Sequence, residues 1–296
     1  MTGAPIRPMT PPAIMLMVLL CACWGLQHVS VKLALPDAPP VAQAAIRSIG
    51  AALLVGLYAA WARLPLLPRG ALAWPAIGVG MLFAVEFICL YTAIGWTGAA
   101  RAGVFLVTAP FFVALGSRWL PAAERFSGSQ WLGLAVSFAG VVLALQPWAA
   151  AAAPLQLAGD LLAIAGGLTW GLTTLAIRLT GLRDAPSESA LFYQLLFSAP
   201  VLAGASLALG EAPVAFTAVA SAAMLYQIAV IATLTYLTWF AMLKRFPAAQ
   251  LSAMTFMTPV FSMLAGRLAL HEPLTAAFAA GAALILAGLL LVSRGK

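Results

Sequence analysis

Thr108-Ala-Pro-Phe-Phe-Val-Ala-Leu-Gly-Ser-Arg-Trp-Leu-Pro-Ala-Ala-Glu-Arg-Phe-Ser-Gly-Ser-Gln-Trp-Leu-Gly133, continuing to Gly140, is written twice in this chain. The second copy runs from Thr258 to Gly288. Each copy has a proline inside an apolar run (Pro110, Pro259), an arginine eight residues later (Arg118, Arg267), a glutamate (Glu124, Glu272) and two glycines a heptad apart (Gly133 and Gly140, Gly281 and Gly288). The offset is 149 residues at the prolines and arginines and 148 at the glutamates and glycines, so one residue separates the copies in length. Trp24-Gly25 likewise recurs as Trp170-Gly171, and Lys32 as Arg178, at an offset of 146. A repeat of nearly half the chain means that one ancestral unit was copied.

Composition sets the class of that unit. Hydrophobic residues make up 64% and charged residues 8%, with a mean hydropathy of +1.03. A soluble domain carries roughly a quarter charged residues, so this chain cannot cover a water-facing surface. It reads as a polytopic membrane protein with lipid as its solvent. The net charge of +7 would point to nucleic acid in a soluble protein. Here the basic residues lie at helix ends, where they set topology, and no nucleic-acid partner is expected. Cys21, Cys23 and Cys89 fall within apolar runs, where thiols pack as small hydrophobes. They have no zinc spacing, and neither metal nor cofactor is expected.

After a proline-rich tail, residues 1–12, ten apolar runs are long enough to cross about 30 Å of hydrocarbon at about 1.5 Å per residue. They are placed at Ala13–Leu35, Val41–Ala62, Leu72–Trp96, Gly98–Leu120, Ser127–Pro147, Leu157–Thr180, Ser187–Leu209, Val219–Leu243, Pro247–Leu270 and Leu274–Val292. The joins at Trp96 to Gly98 and Phe246 to Pro247 have almost no polar loop. The first run also has the look of a signal peptide, but it continues apolar past the cysteines and is duplicated as an internal helix. The repeats then occupy residues 13–150 and 151–296.

Ten spans put both termini on one side. With the termini cytoplasmic, the inside segments hold Arg7, Arg63, Arg69, Arg118, Arg125, Arg178, Arg183, Lys244, Arg245, Arg294 and Lys296, and the outside ones Lys32, Arg101 and Arg267. That excess favours this orientation. Five spans per half is an odd number, so the second copy enters the membrane upside down. Inverted repeats around a midplane site are a signature of secondary transporters.

These features together resemble the drug/metabolite transporter superfamily, above all its EamA-type exporters. The resemblance rests on Trp-Gly in the first helix of each half, Pro-x7-Arg-x5-Glu-Arg-x4-Gln-Trp-Leu-Gly across the fourth and fifth, Gly159-Asp160-Leu161-Leu162 opening the sixth, and Gly281 to Gly288. The second copy departs from it, with Glu272-Pro273 in place of Glu-Arg and no Gln-Trp. Within the family the chain is most similar to YddG-like exporters of aromatic and other amino acids. The resemblance implies an all-α membrane protein with ten transmembrane helices in two inverted five-helix repeats around a central cavity. It implies export of small molecules by alternating access across a bacterial inner membrane, with aromatic amino acids, methionine or threonine as cargo. Drugs, toxic cations or nucleosides are alternatives within transport, and a membrane scaffold or sensor is the alternative outside it. A ten-helix bundle with an internal site needs no partner chain, so a monomer is expected.

Polar and aromatic residues inside spans are the candidate site. Glu86 lies about 15 Å from the outer end of its span, Arg47 about 9 Å and His28 about 10 Å at about 1.5 Å per residue, depths that let all three meet. Either Arg47 and Glu86 form a structural ion pair, or Glu86 meets a substrate ammonium or exchanges protons with His28. Trp24, Gln27 and His28 share one helix face at i, i+3, i+4 spacing, as do Trp170, Thr173 and Thr174 in the mirrored helix and Tyr236, Trp239 and Phe240 in the eighth. Trp24, Gln27, His28, Glu86, Trp170, Thr174, Tyr236 and Trp239, with Tyr193 and Gln194 from the seventh run, are the expected substrate-binding set. Trp61, Trp96, Trp119, Trp131 and Trp148 read instead as interfacial belts. Pro110 and Pro259 are expected to kink their helices and, with Gly25 and Gly171, to act as hinges. The heptad-spaced glycines read as helix contacts, and Asp160 as an acid at the start of the sixth helix. Among the motifs searched for, no nucleophile elbow, P-loop lysine, His-x-x-x-His or paired carboxylates occur. An enzyme or an ATP-driven pump is therefore not expected.

Overall fold

A computed structural model of the chain describes residues 7–68, 70–116, 119, 126–145, 154–270 and 276–294. Six of its helical stretches are continuous, long and apolar enough to cross a bilayer. They are α1 (Pro11–Ala34), α2 (Pro40–Trp61), α3 (Ala73–Thr97, preceded by a 3₁₀ turn), α7 (Pro154–Leu179), α8 (Ser187–Ala208) and the stretch Ala218–Arg245. The last begins as α9 (Ala218–Leu225), widens into a π-helix at Tyr226–Thr235, and ends as α10 (Tyr236–Arg245). Two further passes are each broken at mid-depth. They are α4 (Ala99–Leu106) with α5 (Ala109–Gly116), and α11 (Ala248–Met254) with α12 (Thr258–Leu270). The remaining pair, α6 (Gly128–Leu145) and α13 (Ala276–Arg294), have 18 and 19 residues. At about 1.5 Å per residue these reach nearly across the hydrocarbon.

Backbone chemistry sets the boundaries that lack polar loops. Gly98, with φ 92° and ψ 163°, ends α3 and starts α4, a conformation that only glycine adopts without strain. Phe246 is extended before Pro247, as a residue preceding proline prefers. Pro11, Pro12 and Pro40 stand in the first turns of α1 and α2, where a missing N–H costs nothing.

The halves are inverted, and two glycine pairs show it. A Cβ on Gly133 would lie 2.6 Å from the Gly288 carbonyl oxygen, and one on Gly140 2.7 Å from that of Gly281. Contacts of 133 with 288 and 140 with 281 require α6 and α13, the last helices of the two halves, to run antiparallel. Their backbones approach this closely only because both sides are glycine.

The Trp-Gly motifs perform the reciprocal exchange. A Cβ on Gly25 would lie 2.6 Å from Phe261 Cβ, and one on Gly171 2.8 Å from Phe112 Cβ. The first helix of each half thus packs against the broken pass of the other. This packing also removes the signal-peptide reading of α1, which sits inside the main core with Met17, Leu20 and Trp24.

The prolines correct an expectation. Pro110 and Pro259 do not kink continuous helices, because each is the second residue of α5 or α12, just beyond a break. Phe111 N donates to Thr108 O at 2.9 Å, a turn that starts α5 anew. In the second half a 3₁₀ turn at Thr255–Met257 makes the corresponding break. Arg118, Glu124, Arg125, Trp148, His271, Glu272 and Pro273 lie outside the described residues. Trp61 and Trp119 are 81% and 63% exposed, and Trp96 and Trp131 are also on the surface, as lipid-facing belt residues would be.

Candidate functional site

The two first helices bring their duplicated tryptophans together. Trp24 stands edge-on to Trp170 with ring centroids 6.0 Å apart, and to Trp239 at 5.5 Å and Tyr236 at 6.4 Å. Edge-to-face packing is the favoured arrangement of aromatic quadrupoles. The indole Nε1–H of Trp24 donates to Thr235 Oγ1 at 2.9 Å, so this ring is fixed from both ends.

This cluster forms one wall of a cavity between the halves, with about 680 Å³ free of atoms, including its opening. Trp24, Gln27, His28, Glu86, Trp170, Thr174, Tyr236 and Trp239 all line it, as do Thr173 and Gln194. Phe83, Phe87, Phe240 and several aliphatic side chains complete it. Most of the expected site residues therefore share one concave, mainly aromatic space, the usual character of a small-molecule site.

Tyr193 is the exception. It is buried away from the cavity and its hydroxyl donates to Pro65 O at 3.1 Å, while its neighbour Gln194 faces in. One residue along a helix turns a side chain by about 100°, so adjacent residues seldom line the same space.

Polar groups in the cavity divide into those held and those left open. His28 Nδ1 lies 2.9 Å from Ser262 Oγ, and Ser262 in turn donates to Gly25 O at 3.2 Å. With its only hydrogen so used, Ser262 accepts, Nδ1 donates, and neutral His28 keeps Nε2 as an acceptor. Thr173 and Thr174 donate back to Thr169 O and Trp170 O, which leaves oxygen lone pairs toward the space. Gln194 Oε1, buried on the wall, has no hydrogen-bond partner among the described residues.

Glu86 is the sharpest of the open groups. It is 5% exposed, lines the cavity, and no donor or cation among the described residues is within bonding reach of its carboxylate. The structural ion pair with Arg47 is not formed, since the two do not come within 4.0 Å. Arg47 instead packs among aromatic rings. Its guanidinium carbon lies 3.5 Å from the Phe87 ring centroid, 5.3 Å from Phe83, 5.7 Å from Tyr91 and 5.8 Å from Tyr236. Cation–π attraction of this kind strengthens out of water, which is how a fully buried cation is accommodated here.

Behind that cation runs a polar chain that the sequence reading missed. Gln27 Nε2 reaches Tyr91 OH at 3.4 Å, Tyr91 donates to Gln227 Oε1 at 2.9 Å, and Gln227 donates to Gln43 Oε1 at 3.2 Å. Gln43 then donates to Ala38 O at 2.8 Å. Gln43 and Gln227 are fully buried amides in apolar runs, and that rarity was the available signal.

At the end of the cavity where α3 meets α4, the halves are tied by charge. Arg101 Nη2 and Nε donate to Asp160 Oδ2 and Oδ1 at 2.5 and 3.1 Å, and Thr97 Oγ1 donates to Asp160 Oδ1 at 2.6 Å. Asp160, read from the sequence as an acid near the start of its helix, lies in the second turn of α7 and is a cross-half partner. Among the described residues, no group of His, Cys, Asp and Glu is arranged to hold a metal ion.

Residues 11–146 and 157–294 each match the EamA-like transporter family. The uncharacterized transporter YvbV of Bacillus subtilis is 27% identical, with 97% of this chain and 92% of that protein covered. A protein of Salmonella typhimurium named a probable amino-acid metabolite efflux pump is 25% identical over 93% of this chain and 92% of its own. One solved crystal structure superposes with a TM-score of 0.77 at 24% identity, covering 96% of this chain and 98% of that one, and shares the fold. Two family matches that fall on the two halves account for the repeat, and the chain belongs to the EamA-like transporter family, a transporter and not an enzyme.

Proposed function

We propose that this protein exports small amphipathic metabolites bearing an amino group, aromatic and other apolar amino acids foremost, by alternating access at the cavity between its halves. The observation that carries the reading is Glu86, a carboxylate with no bonded partner among the described residues on a mainly aromatic wall. A carboxylate at this depth with no bonded partner is costly, so a retained one is best explained by a cationic group that arrives with the cargo. Trp24, Trp170, Tyr236 and Trp239 supply ring faces for an apolar side chain and for the ammonium itself. Gln27, His28, Thr174 and Gln194 offer hydrogen bonds that fix orientation. The naming of the Salmonella relative supports amino-acid metabolites as cargo, and the ring-lined wall suits aromatic and apolar ones.

The protein works as a monomer in a bacterial inner membrane with both termini cytoplasmic, the orientation favoured by the basic residues. The breaks before Pro110 and Pro259, packed on Gly171 and Gly25 of the opposite halves, are the bending points. Counterflow of labelled phenylalanine and methionine in proteoliposomes, with and without an imposed pH gradient, tests the function. Saturable exchange of either supports it. Exchange of nucleosides or drugs with neither amino acid accepted would refute it.

A further inference from the structure

The reading above rests on the negative charge of Glu86, but the wall carries a second charge that no contact neutralises. Arg47 is fully buried on α2, with no carboxylate within 4.0 Å among the described residues. Among the described residues its Nε and Nη2 have no hydrogen-bond partner within 3.5 Å, and its Nη1 makes a long contact of 3.5 Å with Tyr91 OH. It does not line the cavity. Phe83, Phe87 and Tyr236 stand between, each lining the cavity and each within 6 Å of the guanidinium. Aromatic rings block contact but not an electric field, which a dry interior screens poorly.

We propose that Arg47, acting through this aromatic wall, offsets Glu86 and makes the cavity select zwitterions over cations. With Glu86 alone, a lone ammonium would neutralise the site. With Arg47 behind Phe87, an ammonium at Glu86 leaves one positive charge unbalanced, and a carboxylate on the same molecule balances it. The proposal depends on the amino-group reading of the cargo and narrows it to molecules that carry both charges. Arg47 is thus a positioning residue for specificity, never in contact with the cargo.

The test compares L-phenylalanine with phenethylamine, the same molecule without its carboxylate, by calorimetric titration of the purified protein at neutral pH. The wild type should bind the amino acid at least tenfold more tightly than the amine. Arg47→Met should erase or reverse that ratio, while Arg47→Lys, which keeps the charge, should preserve most of it. A monodisperse Arg47→Met protein with the wild-type ratio would overturn the proposal. Should neither Arg47→Met nor Arg47→Gln fold, the wild-type arm still decides, because equal affinity for amine and amino acid overturns it without a variant. Failure of the wild type to bind either compound would instead bring down the amino-group reading itself.

Discussion

Replacing Glu86 by glutamine should make the protein less able to hold its cargo while leaving its stability nearly unchanged. The carboxylate lines the cavity without a bonding partner and is 5% exposed. An acid at mid-membrane depth costs about 2.5 to 3.5 kcal/mol when it is ionised, and Arg47 behind the aromatic wall offsets part of that cost. Glutamine keeps the shape and removes the charge, so relief of that cost and loss of the balance it gives Arg47 oppose each other, and the unfolding free energy should change by less than about 1 kcal/mol. On the binding side, a hydrogen bond between charged groups contributes about 1.5 to 3 kcal/mol, and its loss should weaken affinity about 10- to 100-fold. Thermal unfolding in detergent and titration with phenylalanine read the two effects separately, with Glu86→Asp as the charge-preserving control. Most substitutions that remove a structural contact destabilise by about 1 kcal/mol or more, so unchanged stability with weakened binding discriminates. A Glu86→Gln protein that unfolds earlier and binds normally would mean that Glu86 is structural, and the argument from its isolation would fail.

Gly140→Leu should lower the unfolding temperature and cost about 1 to 3 kcal/mol or more, because its Cβ would meet the Gly281 carbonyl oxygen at 2.7 Å and Ile285 N at 2.8 Å, both backbone atoms that cannot swing aside. Tyr193→Phe should cost about 1 kcal/mol of stability through its lost bond to Pro65 and leave cargo affinity unchanged. Trp239→Ala, which removes a ring 5.5 Å from Trp24 on the cavity wall, should raise the dissociation constant in the same titration. Asp160→Asn breaks the tie to Arg101, and hydrogen exchange at residues 97–103 should accelerate while exchange along α6 stays unchanged.

The unequal success of the sequence reading has a physical cause. Depth along a helix follows from counting residues, so the ten passes and the meeting of Trp24, Trp170 and Glu86 in one space were legible. The glycine heptads were legible too, because only close backbone contact accounts for paired small residues at that spacing. Direction around a helix was not, since a helix that is apolar on every side does not declare which face meets its neighbours. Tyr193 and Gln194 could not be told apart for that reason, and Arg47 was matched to Glu86 by depth although its guanidinium packs on aromatic rings rather than on the carboxylate. Nor did any residue announce the π-helix at Tyr226–Thr235, where Thr233 Oγ1 donates five residues back to Ile228 O at 2.8 Å. Widened turns of this kind occur at functional sites, and this one leads directly into Tyr236. Asp160 was read from its place in the chain, whereas its partner Arg101 lies 59 residues away.

Solvent access to the cavity tests alternating access most directly. Thr174→Cys, in a protein whose Cys21, Cys23 and Cys89 are replaced by alanine, would be probed in oriented vesicles with a membrane-impermeant thiol reagent applied to either face. Labelling from one face at a time, with saturating phenylalanine or methionine shifting the balance between faces, is the expected result. A cysteine at this position that is protected from both faces under every condition would contradict transport and mark the protein as a fixed membrane scaffold.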